Sequence, residues 1–254
     1  MIEELGLVLA GLFISTAAMT IGIGGGILWT PLLILAYGLS PQAAVATSLL
    51  VQVVGMGSGS FAFLRTNLVD KKLALIFFLT ALPGVMIGSF ITVNLPQQPV
   101  QMALGIMAMI LALLFVASQD QTDEERSNYK FDQKKINRLL PIPGFFGFIM
   151  GFLSLGIGEW LIPAMRSKLK LSMKRCVATI IPMMFLLAMV AATLHWSLME
   201  ESVEMNYLLW GGLGTLIGGQ VGPRVARYID DKILKETFIF LMTLIGIHLI
   251  FQSI

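Results

Sequence analysis

Hydrophobic and polar positions fall into long blocks along this chain. After Glu4 the next charged residue is Arg65, and after Lys72 the next is Asp120. One helical crossing of a bilayer core about 30 Å thick takes about 20 residues, so each of these uncharged stretches is long enough for more than one crossing. Apolar segments lie at about 5–20, 26–37, 42–64, 73–93, 100–117, 139–155, 159–165, 176–197, 205–223 and 237–254. They do not alternate apolar and polar residues, which a lipid-facing barrel would require, and lipid admits only helices and closed barrels. The pattern predicts an all-α polytopic membrane protein. The segments 5–20, 26–37, 139–155 and 159–165 are short and form two pairs. One pair is split by Gly22-Ile23-Gly24-Gly25-Gly26, the other by Gly156-Ile157-Gly158. The other six segments are near spanning length.

The two breaks belong to a repeat. Gly24, Gly26 and Pro31 recur as Gly156, Gly158 and Pro163, Leu39-Ser40 as Leu171-Ser172, and Val45-Ala46-Thr47 as Val177-Ala178-Thr179, all at one constant spacing. Gly84 and Gly88 match Gly214 and Gly218 at nearly the same spacing. Repetition at fixed spacing divides the chain into an N-terminal membrane repeat over 1–117 and a C-terminal one over 139–254. The polar stretch 118–138, with Asp123-Glu124-Glu125-Arg126 and Lys134-Lys135, reads as a solvated linker, partly disordered. Each repeat then consists of a glycine-broken element followed by three transmembrane helices.

Composition narrows the class. Hydrophobic residues make up 56% and charged residues 13%. A soluble domain carries about 25% charged residues, so a water-soluble globular fold is excluded. The net charge of +2 is ordinary, and no basic patch points to nucleic acid. A single cysteine, Cys176, excludes internal disulfides and a cysteine-based metal cluster. The first apolar run has Glu3 and Glu4 before it and no Lys or Arg, which argues against a cleaved signal peptide.

Charge placement then predicts orientation. Lys and Arg occupy the junctions near 65–72, 126–138, 166–175 and 224–235, while the junctions 38–41, 94–99 and 198–204 have none. If each broken element crossed once, the cations of the two halves would lie on opposite faces, against the positive-inside rule. If each element enters and returns, or crosses twice as two short helices, the halves are inverted. All seventeen cations then share one face. The inverted arrangement puts the central linker in the cytoplasm and both termini outside.

Inverted repeats with helices interrupted at corresponding places are the pattern of secondary transporters. A break frees backbone N–H and C=O groups that lipid cannot satisfy, so it survives only beside protein or a polar cavity. Glycines at Gly24, Gly25, Gly26, Gly156 and Gly158 let a ligand approach bare backbone, and the helix starting after each break offers free N–H groups and a positive dipole end. Two such ends, one per half, would form an anion site with no Lys or Arg in the spans. Thr47, Ser48, Gln52 and Thr179 lie early in the helices that follow the breaks, and their hydroxyl and amide groups can bind sulfo or carboxylate oxygens. The alternative for the hydroxyls is a bond to a carbonyl one turn earlier. Close helix packing is the alternative for the glycines, and interfacial packing for Trp29 and Trp160.

The residues Gly24-Gly25-Gly26-Ile27-Leu28-Trp29-Thr30-Pro31, Ser40-Pro41 and Ala44-Val45-Ala46-Thr47-Ser48-Leu49 resemble the sulfite exporter TauE/SafE family of membrane permeases, and Gly156 to Pro163 with Ala178-Thr179 resembles that family's second repeat. The resemblance runs through both halves. It implies secondary transport of small sulfur-containing or organic anions, such as sulfite or sulfonates, at the plasma membrane, the inner membrane of a bacterium. One position departs from the symmetry: where the first copy has Ile27, the second has Glu159. A carboxylate inside a membrane is costly to keep charged and functional by default. Glu159 is therefore the candidate for proton coupling, with pairing to Arg166 or Lys168 at the cytoplasmic mouth as the alternative.

Other classes fit less well. No GxxxxGK[ST] motif points to ATP, no cofactor is implied, and two histidines far apart, His195 and His248, give a metal site little support. His195 reads as interfacial and His248 as packed or facing a partner. No Asp lies inside a span and no Ser elbow precedes a His, so an intramembrane enzyme is disfavoured. An anion channel is the nearest alternative. The expected partners are a small anionic solute and the lipid bilayer, with a homodimer left open.

Overall fold

In the computed structural model, residues 2–117, 132–199, 205–225 and 231–253 are described, and all their regular elements are helices. The first half has α1 (Ile2–Ile21), α2 (Gly26–Tyr37), α3 (Pro41–Leu64), α4 (Lys71–Asn94) and α5 (Gln97–Ala117). A short α6 (Gln133–Asn137) leads into α7 (Pro141–Leu153), α8 (Gly158–Leu169), α9 (Met173–Leu198), α10 (Met205–Val225) and α11 (Asp231–Ser253). Five of these, α1, α3, α4, α5 and α9, are long and apolar enough to cross a membrane. The chain is an all-α polytopic membrane protein, with leucine, isoleucine and phenylalanine side chains exposed along the outside of the bundle. Most of the predicted linker, 118–131, lies outside the described residues. Its C-terminal end is ordered as α6, whose Ile136 is fully buried, because an apolar residue there packs the helix onto α8.

Helix packing is unchanged when the halves are exchanged. α1 runs along α10 and α7 along α4; α3 meets α10 as α9 meets α4; α3 also meets α9, and α5 meets α11. Glycines let these helices approach backbone to backbone. A Cβ at Gly214 would fall on the carbonyl of Val8, and one at Gly147 on the carbonyl of Ala81. These contacts correct the register of the repeat between α4 and α10 by one turn. Gly84 faces Gly144 and Phe148, and it is Gly218 that faces their matches, Leu12 and Thr16. Gly84 therefore corresponds to Gly218. The evenly spaced glycines of α10 offer two registers in the sequence, and only the packing chooses between them.

Backbone conformation repeats as well. Four residues among those described have left-handed φ: Gly22 (73°), Gly38 (67°), Ser154 (63°) and Lys170 (59°). Ser154 and Lys170 sit at the positions that match Gly22 and Gly38. The first of each pair ends the incoming helix of the broken element and the second caps the returning one.

The junctions gather at two ends. At one end the rings of Tyr37 and Tyr207 meet edge to face at 5.2 Å. There too the Gln42 amide donates to the Leu95 carbonyl (2.8 Å), and that of Gln98 to the Ser253 carbonyl (2.7 Å). A Cβ on Gly6 would lie 3.5 Å from the Tyr37 hydroxyl, which brings the start of α1 to the same end. At the other end the Asp70 N–H donates to the Thr179 hydroxyl (3.1 Å), joining the α3–α4 junction to the early turns of α9. The start of α1 and the end of α2 therefore share one end of the bundle.

Replacing Gly214 by Leu drives a side chain into the α1 backbone and should destabilise the protein by about 1–3 kcal/mol. Gly212→Ala, whose Cβ would meet only Val54 methyls at 3.8 and 3.9 Å, should leave stability unchanged or raised. Thermal unfolding of both variants in detergent checks the pair.

Candidate functional site

The two glycine breaks cross each other. Helix α1 stops where the left-handed Gly22 turns the chain, its N–H still donating to Ala18 (2.8 Å). Helix α7 stops in the same way at Ser154, whose N–H donates to Met150 (2.9 Å). Gly22 adopts this geometry freely, whereas Ser154 bears a strain of about 1–2 kcal/mol. Beyond the turns the strands of backbone lie antiparallel. Gly22 faces Gly158, Gly24 faces Gly156, and Gly26 faces Ser154. A Cβ at Gly24 would sit 2.5 Å from the nitrogen and Cα of Gly156, so no larger residue fits at the centre. This crossing explains why glycine recurs at matching positions in both halves.

Polar side chains gather around the crossing. Glu159, in the first turn of α8, reaches the other half: its Oε1 accepts the Gly24 N–H at 2.9 Å. The residue is 8% exposed, and its Oε2 has no hydrogen-bond partner. Its carboxyl group is thus already seated at the break that precedes α2. On the other side, Gln52 in α3 donates to the Ser154 hydroxyl (2.7 Å) and carbonyl (3.3 Å). The hydroxyls of Ser48 and Ser154 are 3.0 Å apart. The amide of Gln52 is oriented by the Ser154 carbonyl, which can only accept, and its Oε1 is left without a partner.

Gly24, Gly25, Gly26, Ser48, Gln52, Gly156, Gly158 and Glu159 are therefore brought together. Thr47 is fully buried and its hydroxyl has no hydrogen-bond partner. Thr179 stands apart, holding the Asp70 N–H. Sequence reasoning missed Ser154, although a serine at the place matching Gly22 was a readable departure. His195, in the last turn of α9, is fully buried and its Nε2 pairs with the Gly151 carbonyl of α7 at 3.0 Å. His248 is exposed on α11. Trp160 stacks on Phe146 with ring centres 4.2 Å apart, while Trp29 is buried with its indole nitrogen unpartnered.

Beside the crossing, between α1, α2, α3 and α10, lies a small cavity of about 10 Å³, room for a single water. Ser15, Gly25, Trp29, Gln52 and Thr215 supply its polar and backbone groups. Neither Ser15 nor Thr215 stood out in the sequence. The site thus combines backbone N–H groups at helix starts, neutral polar side chains and one carboxylate, a set suited to holding an oxyanion and moving a proton. Among the described residues no group of three His, Cys, Asp or Glu could hold a metal ion.

A model of the family described as sulfite exporter TauE/SafE matches residues 7–249. The chain is 28% identical to the probable membrane transporter protein YunE of Bacillus subtilis, over 98% of this chain and 97% of that protein. It is 27% identical to the probable membrane transporter protein YjnA of the same organism, over 86% and 90%, and 23% identical to the probable membrane transporter protein ORF9 of a Sinorhizobium species, over 94% and 89%. No solved structure matches the chain.

Two substitutions separate strain from bonding at Ser154. Ser154→Ala keeps the left-handed strain and strips the polar groups of Gln52 and Ser48 of a partner, a loss of about 1–3 kcal/mol. Ser154→Gly loses the same hydroxyl but relieves about 1 kcal/mol of strain, so it should unfold at a higher temperature than the alanine variant. Thermal unfolding of the two purified proteins checks the order.

Proposed function

The chain belongs to the sulfite exporter TauE/SafE family and is a membrane transporter, and from that premise we propose that it carries small sulfur-containing or organic anions, sulfite and sulfonates among them, as a secondary transporter. The observation that carries this reading is the crossing of Gly24 and Gly156. Irregular backbone is kept at membrane depth by two facing glycine breaks, and an oxygen acceptor, the Glu159 carboxyl, already sits on the Gly24 N–H there. The glycines, Ser48 and Gln52 form the solute site in this reading, with Thr47 and Thr179 flanking it on the following helices.

Glu159 is the coupling group. While charged it holds the Gly24 amide strongly; protonation leaves only a weaker, neutral acceptor, which an incoming anion can displace. Solute binding and proton uptake are thereby linked. The cavity beside the crossing is too small for a sulfonate, which supports alternating access over an open channel: the solute enters only when the packed elements part. The halves are inverted relative to one another. The matching left-handed residues, the exchange-invariant helix pairs and the antiparallel crossing support this. The end that carries Arg65, Lys71, Lys72, Lys170, Lys174 and Arg175 faces the cytoplasm, and the cation-poor end, with both termini, faces outward. The membrane is the inner membrane of a bacterium.

Three measurements test the proposal. Sulfite, sulfoacetate or related anions should raise the unfolding temperature of the purified protein; stabilisation by cations or neutral solutes alone would reject the anion class. Glu159→Gln, which can still accept the Gly24 N–H, should retain solute binding while transport in proteoliposomes loses its pH dependence. An unchanged pH profile rejects the coupling role. On a Cys176→Ala background, Gln97→Cys should react with an impermeant maleimide in intact cells, and Asn67→Cys only after permeabilisation.

A further inference from the structure

The repeat gives the two halves the same backbone at the breaks, but the polar side chains that line the cavity have no polar counterparts. Ser15, Trp29 and Gln52 of the first half and Thr215 of the second line it. Their counterparts are Gly147, Leu161 and Met184 of the second half and Ala81 of the first, the last because Gly147 meets Ala81 as Ser15 meets Thr215. Four polar positions thus match four apolar or bare ones. A solute that needs these hydrogen bonds finds them on only one side of the crossing, the side of α1, α2, α3 and α10.

The donors and acceptors of the cavity are unequal. Trp29 is 1% exposed and its indole N–H has no partner. The ring carbon next to that nitrogen, Cδ1, lies 3.7 Å from where a Cβ of Gly25 would be, and Gln52 Cγ lies at the same distance. The N–H edge of Trp29 is thus at the start of α2, beside Gly25 and Gln52. This N–H is a donor; of the amides at the start of α2, those of Ile27, Leu28 and Trp29 already donate to the Gly24 and Gly25 carbonyls, so those of Gly25 and Gly26 are the ones left to a solute. The Ser15 hydroxyl donates to the Thr215 carbonyl at 3.0 Å, and that of Thr215 to the Gly212 carbonyl at 3.0 Å, so both oxygens keep only acceptor capacity. Gln52 is 3% exposed and turns its amino group to Ser154, leaving Oε1 as an unpartnered acceptor. The remaining wall includes Met19 and Met56, unbranched thioethers that can repack as the space widens.

Resting on the anion-transport reading above, we infer that solute is recognised off the symmetry centre, between α1, α2, α3 and α10, by a two-part site. Trp29 Nε1–H and the start of α2 take the anionic head, while Gln52 Oε1 and Ser15 Oγ take a hydrogen-bond donor on the same molecule. The preferred solute is a short organic anion that carries a hydroxyl or amino group a few bonds from its charged head. A fully deprotonated inorganic oxyanion leaves the acceptors facing a like charge. Buried acceptors left unpaired discriminate strongly against an analogue that lacks the donor.

Isethionate and ethanesulfonate share the sulfonate head and differ by a terminal hydroxyl, so titrating each against the unfolding temperature of the full-length protein in detergent isolates the second part of the site. Isethionate should bind at least about tenfold tighter. Gln52→Met, which copies Met184, should bring the ratio to about one. Trp29→Phe should weaken both sulfonates alike, by about tenfold, while Leu161→Val, its counterpart in the second half, should leave both within about twofold. Equal binding of the two sulfonates by the unmodified protein, which needs no variant to fold, overturns the inference, as does a Trp29→Phe protein that binds both as before. If neither sulfonate binds while sulfite or a carboxylate does, this inference fails and the anion reading stands. If no anion binds, both fail.

Discussion

Backbone amides and carbonyls that leave a helix inside lipid must find partners in protein, since the surroundings offer none. Here side chains of the opposite half meet part of the need, Glu159 taking the Gly24 N–H and Gln52 the Ser154 carbonyl, while the two interruptions pack against each other. Gly24 and Gly156 touch through main chain alone, and the flanking contacts, Gly22 with Gly158 and Gly26 with Ser154, run outward in opposite directions. The rest of the bundle is arranged around this contact. The breaks meet at their centre, and α1 and α7 are each covered by a helix of the other half, α10 and α4. Close approach over such lengths requires bare surfaces, which is why glycines pave α10 and the inner faces of α4 and α7.

A shared backbone plan does not make the halves chemically alike. At the two left-handed positions the first half uses glycine and the second uses serine and lysine. The serine at the first of them has become a bonding partner for Gln52 and Ser48, groups from the other half. Ile27 in one copy stands where Glu159 is in the other, and Gln52 where Met184 is. The second half contributes the ionisable group and the first half most of the neutral polar wall.

Much of this was readable in the sequence. The fold class followed from the spacing of charge, and the places where the helices break from the repeated glycines. The glycines of the crossing and Glu159 stood out because repetition marked them, or in the case of Glu159 because it broke the repetition. What was hidden depends on distances between elements far apart in the chain. Thr179 matches Thr47 in sequence, yet it faces Asp70 at the end of the bundle. His195 lies near a helix end, and its pairing with the Gly151 carbonyl of α7 shows only in the packing. Ser15 and Thr215 carry no motif, since a lone hydroxyl in an apolar helix is ordinary until α10 is laid against α1.

The exchange of partners between halves bears on how the chain is made. Once residues 1–117 have left the ribosome, the glycine faces of α1 and α4 have no cover within their own half, because α10 and α7 are not yet synthesised. The early product is consequently a set of loosely held segments in the bilayer, and its compaction waits for the ribosome to deliver almost the whole chain. A message cut short in the second half would yield a product that quality-control proteases can recognise by its unclosed interruption.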